Sequence, residues 1–267
     1  MNVQEQVDPA AWIETVHYAI TSGITMFDVS DLSAGSELAP LIGKALTSRR
    51  ADLLLATAGS DADRPGRLRR RCDDTLAQYG VDYIDIYYLR AEPSRQVESG
   101  VAELAELVSD GKIRYIGLLG GSTGQLRRAH AVHPLTALAT EYSLMRREAE
   151  AEHLPVAREL GIGVVARCPF ARGLLSGRVP HPPGFDPRLS PGAVRMLREA
   201  EAVAASLDIG MSRLALAWLL SRNGNVIPLP SALDPVQLEM DISATKVHLT
   251  PETCERLARV FSAPEST

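Results

Sequence analysis

One aspartate interrupts an apolar stretch near the start of the chain. Residues 23–37 read GITMFDVSDLSAGSE, and Asp28 lies within the apolar run of residues 24–29. Such a run is typical of a buried parallel strand, and a carboxylate there needs a specific reason because burying an unpaired charge is costly. The small polar residues that follow predict a loop. We therefore expect Asp28 at the carboxyl end of a strand, facing that loop.

Strand and helix patterns alternate along the rest of the chain, as in an α/β protein with a parallel sheet. An amphipathic helix that starts at Pro9 and ends at Gly23 precedes the first strand. The predicted strands are residues 24–29, 53–57, 83–89, 115–119, 136–141, 164–167 and 226–229. The later predicted helices are residues 37–46, 65–79, 97–109, 123–131, 149–160, 193–207, 213–222, 234–242 and 251–261.

Several sequence blocks resemble the aldo-keto reductase family. One is the segment around Asp28, in which FD is followed by a short loop, SE and a GKAL helix. The others are DYIDIYYLR, GKIRYIGLLGGS, EYSL, ELGIGVVARCPFARGLLSG, and RLALAWLLSR followed by VIPLPS. They occur in the family's order over nearly the whole chain. The resemblance implies a (β/α)8 TIM barrel, with residues 1–267 as one domain.

The resemblance also implies one strand more than the sequence supplies. A closed (β/α)8 barrel needs eight strands, and the sequence predicts seven. Family members begin with a short hairpin and a first barrel strand, whereas residues 1–7 (MNVQEQV) are polar and too short for both. We therefore expect an incomplete barrel. Its gap would be filled by the N-terminal segment, a closing helix or a second copy of the chain, because proteins normally cover strand edges.

The family's catalytic tetrad is largely replaced. In the family a tyrosine donates the proton, a lysine tied to an aspartate lowers the pKa of that tyrosine, and a histidine orients the carbonyl. The aspartate corresponds to Asp28, whereas the other positions hold Ser33, Ala58 and Arg90. Serine cannot serve as an acid tuned near neutrality, and alanine removes the tuning charge. We expect hydride transfer by the family mechanism to be absent or very slow.

The nicotinamide site implied by the resemblance is also altered. The family's Ser-Asn pair, which holds the carboxamide, corresponds to Leu119 and Gly120, and its glutamine to Ala139. The stacking aromatic corresponds to Arg167, which would repel an oxidised nicotinamide. The Gly-Thr-Lys segment that takes the adenosine phosphate corresponds to residues 231–233. We therefore expect no cofactor, with NADPH as the alternative.

If the strand ends align as in the family, charged residues gather at the barrel mouth, where TIM barrels place active sites. Arg90 could simply pair with Asp28 in place of the lysine. Alternatively, arginines bind a polarised oxygen while a carboxylate moves a proton. The predicted catalytic residues are Asp28, Arg90, Glu141 and Arg167, and the predicted substrate-binding residues are Asp31, Ser33, Glu92 and Cys168.

Three functions remain open from the sequence. The leading hypothesis is a non-redox enzyme for dehydration, isomerisation, epimerisation or cyclisation of a small molecule at the barrel mouth. The second is a catalytically silent barrel that acts as a binding or regulatory subunit. The third is an NADPH-dependent carbonyl oxidoreductase with a relocated acid. Tyr87 and Tyr88 are candidates for that acid, because strand alternation turns one of them inward, although packing is the simpler role of both.

Composition limits the possible partners and locations. The chain has 267 residues and a formal net charge of −5, and its basic residues are scattered, which leaves no footprint for nucleic acid or an anionic membrane. The three cysteines lie far apart, which argues against disulfides and a metal site. There is no secretory signal and no membrane-spanning run. We expect a cytoplasmic protein with a small-molecule substrate, with homodimerisation through the open barrel edge as an option.

Overall fold

The computed structural model describes most of the chain. The described residues are 9–32, 36–60, 66–92, 96–177, 190–222, 225–232 and 234–262. The predicted site residue Ser33 lies outside them. Residues 178–189, which are rich in proline, also lie outside them.

The described residues form one sheet of seven parallel strands in chain order. The strands are β1 (Met26–Asp28), β2 (Leu54–Gly59), β3 (Ile84–Arg90), β4 (Ile113–Leu119), β5 (Ala137–Glu141), β6 (Gly163–Arg167) and β7 (Val226–Pro228). All the predicted strands are present, with boundaries shifted by a few residues. Within the described chain, β1 pairs only with β2, and β7 pairs only with β6.

Helices follow the strands as predicted. They are α1 (Pro9–Thr21), α2 (Leu38–Thr47), α3 (Arg67–Tyr79), α4 (Glu98–Ser109), α5 (Thr123–Val132), α6 (Glu148–Ala151), α7 (His153–Glu159), α8 (Pro191–Ser206), α9 (Met211–Leu220), α10 (Pro235–Ser243) and α11 (Pro251–Ser262). Polar caps fix several of the starts. The Ser122 hydroxyl accepts a hydrogen bond from the Gln125 N–H in a capping box, and the Asp234 carboxylate accepts one from the Gln237 N–H at 2.7 Å.

The predicted single helix over residues 149–160 is wrong, because the structure has two short helices there. The break between α6 and α7 falls at Glu152. Pro155 explains it: a proline inside a helix cannot donate to the carbonyl four residues earlier, here Ala151, and its ring clashes with that carbonyl. The chain therefore starts a new helix, which places Pro155 in its first turn, where no N–H is required.

The two faces of the strands carry different cores. The face towards the helices holds large apolar side chains, among them Tyr87, Leu89 and Leu118. The inner face holds a smaller cluster from β2 to β6: Ala56, Ala58, Ile86, Tyr88, Leu119, Ala137, Ala139 and Val165. The predicted alternation of Tyr87 and Tyr88 is thus confirmed, with Tyr88 inside. Gly117 makes room for its ring, since a Cβ there would lie 2.4 Å from Tyr88 Cδ1.

A buried ion cluster joins the amino-terminal parts of β2, β3 and β4. The Asp85 carboxylate is fully buried, accepts the Leu55 N–H at 2.9 Å, and lies 2.7 Å from Arg50 Nη2 and 3.0 Å from Arg114 Nη1. The two guanidinium groups also cover the Tyr83 ring, at 3.9 and 4.0 Å from its centroid. This arrangement satisfies the buried charge and braces one side of the sheet.

No single helix among the described residues combines the length and apolarity needed to cross a membrane. Only α8 and α9 taken together meet those criteria, by length and composition alone, and they are bent by 88° at their junction. The cytoplasmic location stays a prediction.

Candidate active site

A cleft of about 180 Å³ lies at the carboxyl end of β1. Its polar lining includes the predicted site residues Asp28, Asp31, Arg167 and Cys168. The remaining wall is mostly apolar and comes from α1, β1, α2, the segment after β7, and α10. The cleft therefore lies between the first and last strands of the sheet and brings together half of the predicted site residues.

Asp28 ends β1 as predicted. Its Oδ1 accepts the Ser30 N–H at 2.8 Å, which fixes the carboxyl group, while its Oδ2 is buried and has no hydrogen-bond partner among the described residues. Burial raises the pKa of the Asp28 carboxyl; the neighbouring Ser30 groups and the Arg167 charge lower it in part, and Asp31 raises it further. The carboxyl group is thus more easily protonated than an exposed aspartate.

Arg167 ends β6 and makes an ion pair with Asp31 across the cleft. The Arg167 side chain is largely buried, whereas 36% of the Asp31 side chain is exposed, and the Asp31 carboxylate balances the charge of the arginine. The carboxyl ends of β1 and β6 therefore meet, although these strands are far apart in the order of the sheet. This contact was not predicted, because no pattern within one strand indicates an ion pair between distant strands.

The predicted pairing of Arg90 with Asp28 is wrong. Asp28 aligns with Ala56 on β2, which separates it from β3, and the cation that affects its carboxyl group is Arg167. Arg90 is exposed at the end of β3 and does not line the cleft. Strand β2 lies between the strands of the two residues, which is why Arg90 does not pair with Asp28.

Two further predicted residues lie outside the cleft. Glu141 ends β5 and lies 3.8 Å from the Arg172 guanidinium, whose side chain is 79% exposed. Glu92 follows β3, and its backbone carbonyl accepts a hydrogen bond from the Gln125 side chain at 2.8 Å. Both lie at the carboxyl ends of the strands, as Asp28 does, but they contact other residues.

Cys168 lines the cleft directly after Arg167 and has a positive φ of 53°. This left-handed conformation is uncommon for a residue other than glycine and turns the chain sharply at the end of β6. It places the thiol-bearing residue beside the Arg167–Asp31 pair.

Neither tyrosine of β3 is placed as an exposed acid. The hydroxyl groups of Tyr87 and Tyr88 are buried without a hydrogen-bond partner among the described residues. Burial raises the pKa of both. A phenol that must release a proton near neutrality requires the opposite shift.

Sequence reasoning missed the apolar wall of the cleft. Trp12 and Val16 on α1, Phe27 on β1 and Leu238 on α10 all line it. One signal was available in the sequence, which predicts one strand too few for a closed barrel. That shortage predicts a gap beside β1, and a helix was one of the elements expected to fill it.

A second cavity, of about 210 Å³, lies between α7 and α9 and contains none of the predicted site residues. Of its arginines, Arg158 lies in the last turn of α7, where a cation complements the helix dipole. Arg222 follows α9 and lies over the Trp218 ring, 4.6 Å from its centroid. These contacts account for both arginines without a ligand, so the cleft at Asp28 is the better candidate.

Comparison with known proteins decides the family. The model of the aldo/keto reductase family matches residues 1–261. A probable aldo-keto reductase of Glycine max is 34% identical over 275 residues, which cover 94% of this chain and 78% of that protein. The chain belongs to the aldo-keto reductase family.

Solved aldo-keto reductase structures have the same fold. A glycerol dehydrogenase from Gluconobacter oxydans superposes with a TM-score of 0.82 at 25% identity, covering 94% of this chain and 84% of its own. An aldo/keto reductase from Klebsiella pneumoniae, crystallised with NADP and acetate, superposes with a TM-score of 0.80 at 22% identity, covering 97% and 87%. The predicted α/β fold of aldo-keto reductase type is confirmed at this level.

Membership of the aldo-keto reductase family overturns two predictions. The leading hypothesis of a non-redox enzyme is wrong, because the relatives are reductases and a dehydrogenase. The prediction of no cofactor is contradicted as well, because the chain belongs to a family of reductases, and hydride transfer by a reductase needs a cofactor. The error arose from counting replaced residues one by one. The structure shows one of the replacements, Arg167, to be balanced by Asp31.

Proposed function

We propose that the chain is an NADP(H)-dependent oxidoreductase that reduces the carbonyl group of a small molecule. The observation that carries the proposal is Asp28, the tetrad residue that the chain retains, lining a cleft at the carboxyl ends of the strands. Active sites of TIM barrels lie at this end of the strands. The match of the family model to residues 1–261 supports the same activity.

The charges around the cleft fit a nicotinamide dinucleotide. The sequence suggested that Arg167, in the stacking position, would repel an oxidised nicotinamide. In the structure, however, Arg167 is paired with Asp31. Arg90 is exposed at the end of β3, and Arg172 is exposed with only a 3.8 Å contact to Glu141. These two arginines are available to hold the phosphate groups, because guanidinium groups bind phosphate well.

We assign Asp28 as the group that donates a proton to the substrate oxygen, since position 33 holds no tyrosine. When bound, the nicotinamide supplies the hydride. The pKa of Asp28 is raised by burial, so its carboxyl group holds a proton that an exposed aspartate would have lost. The Ser30 N–H engages Oδ1, which leaves Oδ2 to carry that proton and donate it to the substrate oxygen. The Arg167 charge then stabilises the carboxylate that remains.

Two measurements test the proposal. NADPH fluorescence should change on titration with the protein, and NADPH should be consumed in the presence of uncharged aldehydes and ketones. Asp28→Asn should retain the fluorescence change while losing turnover. Unchanged NADPH fluorescence at millimolar cofactor would contradict the proposed cofactor, and full turnover by Asp28→Asn would contradict the assigned acid.

Two finer statements about the fold belong to the same proposal. We infer that residues 1–267 form one domain and that the sheet stays one strand short of a closed barrel between β1 and β7. The pairing of β1 with β2 alone and of β7 with β6 alone, among the described residues, supports this. Homodimerisation through that edge stays a prediction.

A further inference from the structure

The cleft at Asp28 has two chemically distinct ends. Asp28, Asp31 and Arg167 lie at the carboxyl ends of the strands. Away from them the wall is apolar and includes Trp12 and Val16 of α1 and Leu238 of α10. A pocket of this kind holds a molecule that has one polar group and an apolar body.

The apolar part of the cleft lies beside β1 and β7, each of which has a single strand neighbour among the described residues. Met26 and Phe27 of β1 form one wall, and Leu229 and Pro230, which follow β7, form another. Helix α1 contacts α10 and so covers the outside of this space. The space that an eighth strand would occupy between β1 and β7 is thereby lined mostly by apolar side chains.

We propose that this space, which we call the tail pocket, binds the apolar chain of the substrate while its carbonyl group lies beside Asp28. The tail pocket is lined by Trp12, Val16, Ala19, Phe27, Ile42 and Leu238. The substrate class is an uncharged aldehyde or ketone with an unbranched apolar chain. This inference rests on the proposed function and adds the substrate class to it.

Charge at the polar end selects an uncharged head group. Among the described lining residues, Arg167 is the one cation, and it is paired with Asp31 while Asp28 lies nearby. No positive charge is left over for a carboxylate or phosphate on the substrate, and an added anion would face two acidic side chains. A neutral carbonyl oxygen, in contrast, can accept a hydrogen bond from the protonated Asp28.

The size of the cleft selects a slender chain. Its volume of about 180 Å³ lies below the roughly 300–1,000 Å³ of pockets that hold drug-sized ligands. A cleft of this size favours an unbranched chain over a fused ring system.

The first test is a series of methyl ketones from butanone to decanone. Binding is read from Trp12 fluorescence, because Trp12 lines the tail pocket and the other tryptophan, Trp218, is fully buried elsewhere. Trp12→Phe identifies the signal. We expect the affinity to rise about fourfold for each methylene group, which corresponds to about 0.8 kcal/mol per buried CH₂, and to level off once the pocket is full. An affinity independent of chain length would overturn the proposal.

The second test fills the pocket. Ala19 on α1 is buried and lines it, so Ala19→Phe should weaken octanone binding at least tenfold. His17→Phe places the same ring on the exposed face of the same helix and should bind octanone normally. If Ala19→Phe does not fold, Val16→Ala replaces it and should shift the preference towards longer ketones. Unaltered octanone binding by Ala19→Phe, or an unshifted preference in Val16→Ala, would contradict the assignment.

The outcomes separate this inference from the proposed function. Chain-dependent ketone binding without NADPH consumption supports the tail pocket and contradicts the reductase activity. NADPH consumption that is indifferent to chain length supports the activity and contradicts the tail pocket. If a 2-oxo acid bound as tightly as the ketone of equal length, the proposed preference for an uncharged head group would be wrong.

Discussion

At the scale of single residues, the protonation of Asp28 governs both chemistry and stability. Its folded-state pKa is raised by burial, so the carboxyl group favours the folded state while it is protonated. That stability is fully present below the ordinary aspartate pKa and is lost as the pH rises through the raised value. At neutral pH Asp28 therefore lowers the stability of the folded chain, because the unfolded chain ionises this carboxyl group more easily.

Asp28→Asn should stabilise the protein at neutral pH and inactivate it. Asparagine keeps the acceptor for the Ser30 N–H but carries no charge, so the gain in free energy of unfolding should shrink as the pH falls towards the ordinary aspartate pKa and be absent below about 4. Turnover should fall about 100-fold or more, since general acids contribute at least that much. Urea unfolding at neutral and acidic pH, with NADPH consumption, measures both. Equal stability changes at the two pH values would show that the charge is not the cause.

Tyr88→Phe should leave turnover unchanged and stabilise the fold. The Tyr88 hydroxyl is buried without a partner in the described structure, and such a group costs about 1–3 kcal/mol. Phenylalanine keeps the ring against Gly117 and removes the oxygen. Chemical denaturation and NADPH consumption serve as the measurements. A large loss of turnover with the fold intact would instead identify Tyr88 as the relocated acid.

At the scale of elements, Asp85 links β3 to the cations beside β2 and β4. Asp85→Ala should lower the free energy of unfolding by about 3 kcal/mol, because it strips Arg50 and Arg114 of their buried partner and the Leu55 N–H of its acceptor.

The matched control for Asp85→Ala is Asp52→Ala. The pair of Asp52 with Arg49 is exposed, with 64% of the aspartate side chain accessible, so its loss should have little effect on stability. Guanidinium denaturation compares the two variants. Similar losses of unfolding free energy in both variants would show that burial does not make the Asp85 ion pairs stronger than the exposed pair.

At the scale of the whole molecule, the fold follows from local patterns. Apolar runs and helical spacing predicted every strand of the sheet, and the alternation of Tyr87 and Tyr88 was predicted correctly. The break between α6 and α7 was missed because hydrophobic spacing continues across Pro155, whereas the helical hydrogen bonds do not.

The site was less predictable than the fold, because its contacts join distant parts of the chain. Asp28 was placed correctly from its own strand pattern. The partner of Arg167 was not, since Asp31 reaches it only when the sheet brings β6 to β1. The leading hypothesis of a non-redox enzyme failed for the same reason. It treated each replaced residue separately, whereas neighbouring charges act together.

The bracing of the sheet on one side has a dynamic consequence. Strands β2 to β4 are tied together through Asp85, whereas β1 and β7 each have a single strand neighbour among the described residues. Breathing motions should therefore concentrate at β1 and β7, and their backbone amides should exchange with deuterated water fastest among the strands. A ligand held between them would slow that exchange, so the β1 and β7 edges of the sheet would also be the part of the protein that responds first to its substrate.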